Sequence, residues 1–87
     1  SYEVKNYMFE PKTVFLGDKN NSVLLLCEIL KARDIYKGGI TNVATGELIA
    51  AVNNYQGLRR AQGVELGTNG QNDSVCGPMM WRDLIAI

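Results

Sequence analysis

The 87-residue chain has no histidine, only two cysteines, two prolines and one tryptophan, and no excess of either charge, since nine Lys and Arg balance nine Asp and Glu. Without histidine it lacks the commonest general base near neutral pH, the usual serine and cysteine protease dyads and the commonest zinc ligand. With no net charge it lacks the basic stripe that a nucleic-acid backbone or an anionic membrane demands. No apolar run, Val23 to Cys27 included, exceeds five residues, far short of the roughly 20 needed to cross a bilayer. Cys27 and Cys76 are too few for a disulfide framework and have no C-x-x-C spacing for metal or redox chemistry. They are expected to be free, mostly buried thiols; paired, they would close a long loop worth about 4 kcal/mol. A chain this short buries only about 60% of its unfolded surface, which leaves room for one small core and none for a catalytic domain beside it. No enzyme activity, cofactor or metal site is expected. The chain begins at Ser1 rather than Met, without a basic-then-apolar leader, and is read as part of a longer protein.

What is present organises the chain as an arm followed by helices. Residues 1–16 carry Tyr2, Val4, Tyr7, Phe9, Val14, Phe15 and Leu16 around Pro11 with no helical period, and are expected to form an extended arm or the end of a linker, partly buried through its aromatics. After the polar turn Gly17 to Asn21, Ser22 is the expected N-cap of a first helix. Its inward face is Val23, Leu26, Cys27 and Leu30. It should end near Arg33 or Asp34, with Gly38 and Gly39 supplying any positive φ in the exit turn. A second helix should start at Thr45 as N-cap with Glu47 in its first turn. Leu48, Ala51, Val52, Tyr55, Leu58 and Gln62 would share its inward face, Gly57 marks a point of bending, and Gly63 is the expected C-terminal cap. A long polar loop over residues 63–76 follows, of the kind that carries function or disorder in a small scaffold. Pro78 then suits the first turn of a third helix that turns Met80 or Trp81, Leu84 and Ile85 inward. The expected fold is an all-α three-helix bundle, with residues 17–87 as the domain and residues 1–16 as the arm.

The chain also contains two similar units. Val23-x-x-Leu26-Cys27 followed by Ile40 to Thr45 matches Val52-x-x-Tyr55-Gln56 followed by Asn72 to Gly77. Each is a helix, a small polar turn and a new helix start, so the bundle is expected to be two helix-turn-helix-like repeats burying one shared core. The order Gly17-Asp18, Val23-x-x-Leu26, Leu30, Tyr36-x-Gly38, Ala51-Val52-x-x-Tyr55-Gln56 and Asp73-x-x-x-Gly77-Pro78-x-x-Trp81-x-x-Leu84 resembles the peptidoglycan-binding domain attached to bacterial and phage cell-wall hydrolases. The resemblance covers about residues 17–87. Its most specific pieces are Ala51 to Gln56, against the family's A-V-x-x-F-Q, and Gly77 to Leu84, against its G-P-x-T-W-x-x-L. The sequence departs from the family where Cys27 replaces a Gln, Thr41 to Thr45 replaces D-G-x-F-G, Ser74 replaces the Gly of D-G, and Met80 replaces a Thr. The segment 63–72 is also longer than the family's. These changes spare the helices and alter the turns.

The resemblance implies a three-helix fold and a non-catalytic module that binds peptidoglycan, either its glycan strand or its stem peptide. Such a module tethers a hydrolase domain of the same parent chain at the wall, in a secreted or phage-released protein. The alternative is a spacer or protein-docking domain with no wall binding of its own. The expected ligand surface is a shallow groove between the two turns and the second helix, using Tyr36, Thr41, Asn42, Tyr55, Arg59, Asn72 and Asp73. Asparagine, aspartate and threonine suit N-acetyl groups and hydroxyls, and the guanidinium fork of Arg59, or of its neighbour Arg60, matches a carboxylate. Each residue also has a plainer use: Tyr55 and Trp81 as core, the Asn and Asp residues as turn formers, and Gln56 as a half-buried amide bonded to the neighbouring turn.

Overall fold

The computed structural model describes residues 10–86 of the chain. Among these it contains three helices, α1 (Asn21–Ala32), α2 (Gly46–Ala61) and α3 (Pro78–Ile85), and no strand beyond isolated bridges. The all-helical expectation therefore holds at the level of three helices. Tyr2, Val4, Tyr7 and Phe9 of the expected arm lie outside the described residues.

Each helix start has a local cause. Asn20, extended at φ −168°, accepts from Val23 N through its side chain at 3.1 Å and caps α1. The N-cap is thus two residues earlier than expected. Ser22 is left free to bind elsewhere, and its buried hydroxyl accepts from Lys12 N at 2.9 Å. Thr45 caps α2 through Leu48 N at 3.2 Å, with Glu47 in the first turn as anticipated. α3 has no side-chain cap and opens on Pro78, whose missing donor costs nothing there.

The ends of α1 and α2 are built alike. Past Arg33, Asp34 takes φ 64°, Asp34 N bonds Lys31 O at 3.0 Å and Ile35 N bonds Leu30 O at 2.9 Å. Past Gln62, Gly63 takes φ 88°, Gly63 N bonds Arg60 O and Val64 N bonds Arg59 O, each at 2.9 Å. This is the Schellman arrangement in both cases, which satisfies carbonyls a helix otherwise leaves unpaired. The left-handed residue after α1 is therefore Asp34 rather than Gly38 or Gly39. Gly38 is needed for space instead, because an added Cβ would sit 2.5 Å from the Tyr36 hydroxyl.

The core is Val23, Leu26, Cys27 and Leu30 of α1, Leu48, Ala51, Val52 and Tyr55 of α2, and Met80, Trp81 and Leu84 of α3, closed by Val14, Tyr36, Ala44, Leu66 and Cys76. Both cysteines are free and buried, and burial pushes the Cys76 thiol up to about 12, so it is no nucleophile at neutral pH. Leu58, Gln62 and Ile85, expected to face inward, are exposed, each at or near the C-terminal end of its helix, where no further element among the described residues covers that face. α2 also runs straight through Gly57, where the nearest atom to an added Cβ would be Asn72 Nδ2 at 3.3 Å. The missing side chain there admits the loop that follows α2.

That loop is strapped down at several points. Asn69 and Gly70, both at positive φ, turn a small hairpin closed by Thr68 N to Gln71 O at 2.9 Å and Gln71 N to Thr68 O at 3.0 Å. Val14 and Cys76 pair backbone to backbone, at 3.0 and 3.2 Å, and Trp81 Nε1 donates to Lys12 O at 2.9 Å. The segment before α1 is thereby bound to the bundle at Lys12 and again at Val14.

Ser74 sits at φ 60°, a left-handed conformation that costs a side-chain-bearing residue about 1–2 kcal/mol. Its hydroxyl accepts from Asn53 Nδ2 at 2.8 Å. Ser74→Gly and Ser74→Ala both delete that bond, but only glycine relieves the backbone. The glycine variant is expected to exceed the alanine variant by about 1 kcal/mol, a gap of about 4–8 °C between their thermal midpoints. Equal midpoints would show that the left-handed backbone at Ser74 is not strained.

Candidate functional site

Two adjoining clefts run along one face of α2. The first, about 410 Å³, is lined by Arg33, Ile35, Tyr55, Leu58, Arg59, Gln62 and Asp83. The second, about 210 Å³, is lined by Ile35, Tyr36, Lys37, Glu47, Ala50, Ala51 and Asn54. Ile35 belongs to both, so they form one groove between α2 and the segment leaving α1. The Schellman end of α1 explains the placement, since it turns the chain at Asp34 and brings Ile35 and Tyr36 back over α2.

The first cleft holds an ordered electrostatic cluster. Arg59 grips Asp83 with two donors, Nε at 2.8 Å and Nη2 at 3.0 Å, and gives Nη1 to Gln62 Oε1 at 2.5 Å. The Tyr55 hydroxyl donates to the same Asp83 carboxylate. The hydrogen bond from Arg59 holds the Asp83 carboxyl below its ordinary range, outweighing burial, and the Tyr55 hydroxyl adds to the effect. Burial, and then its bond to Asp83, pushes Tyr55 up to about 12, so the phenol stays protonated. Arg33 crosses from the end of α1 to donate Nη2 to Leu84 O at 2.7 Å, with its guanidinium carbon 5.7 Å from the centre of the Tyr55 ring. In the second cleft the Tyr36 ring is buried, its hydroxyl donates to Gly39 O at 2.7 Å, and Lys31 Nζ lies 5.9 Å from its centre. Burial, then Cys27 and Glu47 nearby, raises its pKa.

A second polar cluster locks the loop after α2. Gln56, with no exposed surface, accepts from Asp73 N at 3.1 Å and Ser74 N at 3.0 Å, and donates to Asp73 Oδ1 at 2.9 Å and Val75 O at 3.1 Å. Asp73 in turn accepts from Thr68 Oγ1 at 2.7 Å and Val75 N at 3.0 Å. Burial pushes its carboxyl up, but these bonds together hold it below the ordinary value. The expectation that Gln56 bonds the neighbouring turn is met in full.

The seven residues expected to contact ligand divide into separate groups. Tyr55 and Arg59 share the first cleft and Tyr36 lies in the second, while Thr41, Asn42, Asn72 and Asp73 line neither. Thr41 Oγ1 accepts from Val43 N and Asp73 is occupied as above, within their own turns, while the Asn42 backbone carbonyl accepts from Asn20 N and Asn72 Nδ2 donates to Asn53 of α2. The two clefts lie between α2 and the α1 exit, and the four turn residues stand outside them. Arg60, considered beside Arg59, pairs with Glu65 at 3.3 Å. Sequence reading missed Arg33, Ile35 and Asp83. Asp83 meets Arg59 from 24 positions away, a separation that leaves no trace in local pattern; Arg33 carried the only signal, as a cation at a helix end.

Among the described residues no group of three or more His, Cys, Asp and Glu side chains is placed to hold a metal ion, and no helix is long and apolar enough to cross a membrane. Comparison with protein-family models, with curated proteins and with solved structures found no match.

Proposed function

We propose that this chain is a non-catalytic module that binds bacterial peptidoglycan and holds an attached cell-wall hydrolase at its substrate. The observation that carries this reading is the groove along α2. Its lining runs from Glu47 to Gln62, about 22 Å at 1.5 Å per residue, a length suited to an extended polymer. It offers the side-chain amides of Asn54 and Gln62 and the guanidinium of Arg33 between the small apolar surfaces of Ala50, Ile35 and Leu58. Asp83, the acid of the first cleft, is held ionised by Arg59 and Tyr55, which suits binding better than proton donation. The mechanism is tethering: a held enzyme meets its polymer at high effective concentration, with no barrier lowered by this domain. The protein would then act outside the cell or at the wall.

The paired units of the fold support the same family reading. Val43 N bonds Thr41 Oγ1 at 3.2 Å just as Val75 N bonds Asp73 Oδ1 at 3.0 Å. Cys27 Sγ reaches Thr41 O at 3.3 Å where Gln56 Nε2 reaches Val75 O at 3.1 Å. The buried Ala44 and Cys76 each pair, backbone to backbone, with the segment before α1. Thr41 and Asp73, Val43 and Val75, and Ala44 and Cys76 correspond along the two similar stretches, whereas the carbonyls that Cys27 and Gln56 reach stand two positions apart in that correspondence. The first three correspondences support a duplicated helix-turn-helix unit. The departures from the family also have their place here, since Ser74 stands at positive φ where the family has glycine.

A spacer that docks on its own hydrolase domain is the second reading, favoured by the cleft of about 360 Å³ at Val64, Leu66 and Met79, beside which Met79 is half exposed. Sedimentation with purified insoluble peptidoglycan separates the two. Wild type is expected to pellet with the wall, and Ala50→Trp, which fills the groove from an exposed helix position, to stay largely in the supernatant while folded by circular dichroism. A folded wild-type domain left wholly in solution would replace tethering with the spacer.

A further inference from the structure

Arg33 and Arg59 face the first cleft together with one carboxylate, Asp83. Arg59 is committed: both its Nε and Nη2 are on Asp83 and Nη1 is on Gln62. Arg33 is not. Of its five N–H donors, the one bonded among the described residues is on Nη2, to Leu84 O, and the residue is exposed. Among the described residues the cleft therefore sets two guanidinium groups against one carboxylate, and Arg33 keeps N–H groups without a hydrogen-bond partner.

The ends of all three helices meet here, and helix C-termini are partly negative. The Schellman bonds satisfy carbonyls of α1 and α2, and Arg33 spends one N–H on the carbonyl of Leu84. Its other N–H groups remain for a ligand. Around Arg33 stand two aliphatic walls, Ile35 and the half-exposed Leu58, and the centre of the Tyr55 ring lies 5.7 Å from the guanidinium carbon.

We propose, resting on the peptidoglycan reading, that this cleft recognises the stem peptide rather than the glycan, with the open edge of Arg33 taking a peptide carboxylate and Ile35 with Leu58 receiving the methyl group of a neighbouring alanine. The chemistry selects between the two parts of the polymer. The N-acetylated glycan is neutral along its length, whereas the stem peptide sets carboxylates beside alanine methyls. A guanidinium edge on a carboxylate forms paired, charge-assisted hydrogen bonds that a sugar hydroxyl cannot match.

The test is an amide-shift titration of the labelled domain with a synthetic stem tetrapeptide, in parallel with the same peptide amidated at its carboxylates and with a chitin tetrasaccharide as the neutral glycan. Binding is expected for the free-acid peptide, with shifts centred on Arg33, Ile35 and Leu58. Amidation, or Arg33→Gln, should weaken it by roughly tenfold or more, and Arg33→Lys, which keeps the charge without the fork, should fall between. The amidated peptide needs no variant, so the outcome does not depend on Arg33→Gln folding. Equal affinity for both peptides, binding of the saccharide in this cleft, or no binding of the acid peptide would overturn the assignment. Pelleting with whole peptidoglycan reads the parent proposal separately. A domain that pellets and is indifferent to Arg33→Gln keeps the tether and loses the carboxylate site; one that binds the peptide through Arg33 and does not pellet keeps the site and loses the tether.

Discussion

Gln56→Leu is expected to destabilise the domain by about 3–5 kcal/mol. The side chains are close in size, so the cost is almost wholly polar. Gln56 makes both donor bonds and both acceptor bonds of its amide with the loop, to Asp73 Oδ1, Val75 O, Asp73 N and Ser74 N. Leucine would leave two backbone donors and a carbonyl without partners at the edge of the core, each worth roughly 1–3 kcal/mol when water cannot reach it. A domain of this size has only about 5–10 kcal/mol in total, so the thermal midpoint should drop by about 15–30 °C. Gln56→Glu separates shape from donor chemistry. It keeps the acceptor that Asp73 N and Ser74 N use but turns a second carboxylate toward Asp73. Burial and that neighbour raise the folded pKa of the new acid, so its penalty is present at neutral pH and relieved as pH falls through the raised value. Thermal melts from neutral to mildly acid pH check this. A Gln56→Leu midpoint within a few degrees of wild type would mean that the loop is not anchored through Gln56.

Position 56 also shows what could be read before the fold was known. A glutamine inside the run Ala51, Val52, Tyr55 falls on the apolar face of a helix, and an amide placed there has to find partners. Helix existence was legible for the same reason, because spacings of three and four in Val23 to Leu30 and Leu48 to Tyr55 leave one buried stripe. Boundaries depended on unique chemistry. Thr45 and Pro78 stood alone as helix starters and were placed correctly, whereas Asn20, Asn21 and Ser22 all suit an N-cap, and the choice fell to Asn20 by its extended backbone. Leu58 and Ile85 illustrate the reverse problem: periodicity gives a direction and says nothing about whether another element waits there.

The candidate site was less legible, and for a definite reason. The turn residues Thr41, Asn42, Asn72 and Asp73 have the donors and acceptors a sugar would want, but the turn takes those of Thr41 and Asp73, and Asn72 is bonded to Asn53 of α2. The groove instead draws on Arg33 at the end of α1, Arg59 and Gln62 at the end of α2, and Asp83 near the end of α3. Those residues become neighbours only because the three helices end at the same place in space, which no spacing within a single helix encodes.

Trp81→Ala is the other substitution with a large expected effect, and it decides a functional question as well as a structural one. In the peptidoglycan-binding family proposed for this chain, a tryptophan follows the Gly-Pro start of the last helix, and an aromatic face there invites the idea of a sugar platform. Here Trp81 is 3% exposed, too little for its face to meet a ring from solvent. Its indole N–H instead holds Lys12 O at 2.9 Å, on the side of the bundle where Val14 pairs with Cys76. Truncation to alanine removes about 3–5 kcal/mol of packing and about 1 kcal/mol for the hydrogen bond, which takes away about half or more of the stability of a domain this size. Trp81→Phe keeps most of the packing and loses the N–H, so it should cost about 1–2 kcal/mol and leave a folded domain whose wall retention is unchanged. Denaturant unfolding of both variants, with pelleting of the phenylalanine variant, checks the pair. Loss of retention in a folded Trp81→Phe protein would move the ligand from the groove along α2 to the surface where Lys12 meets α3, since that is where the indole N–H makes its bond.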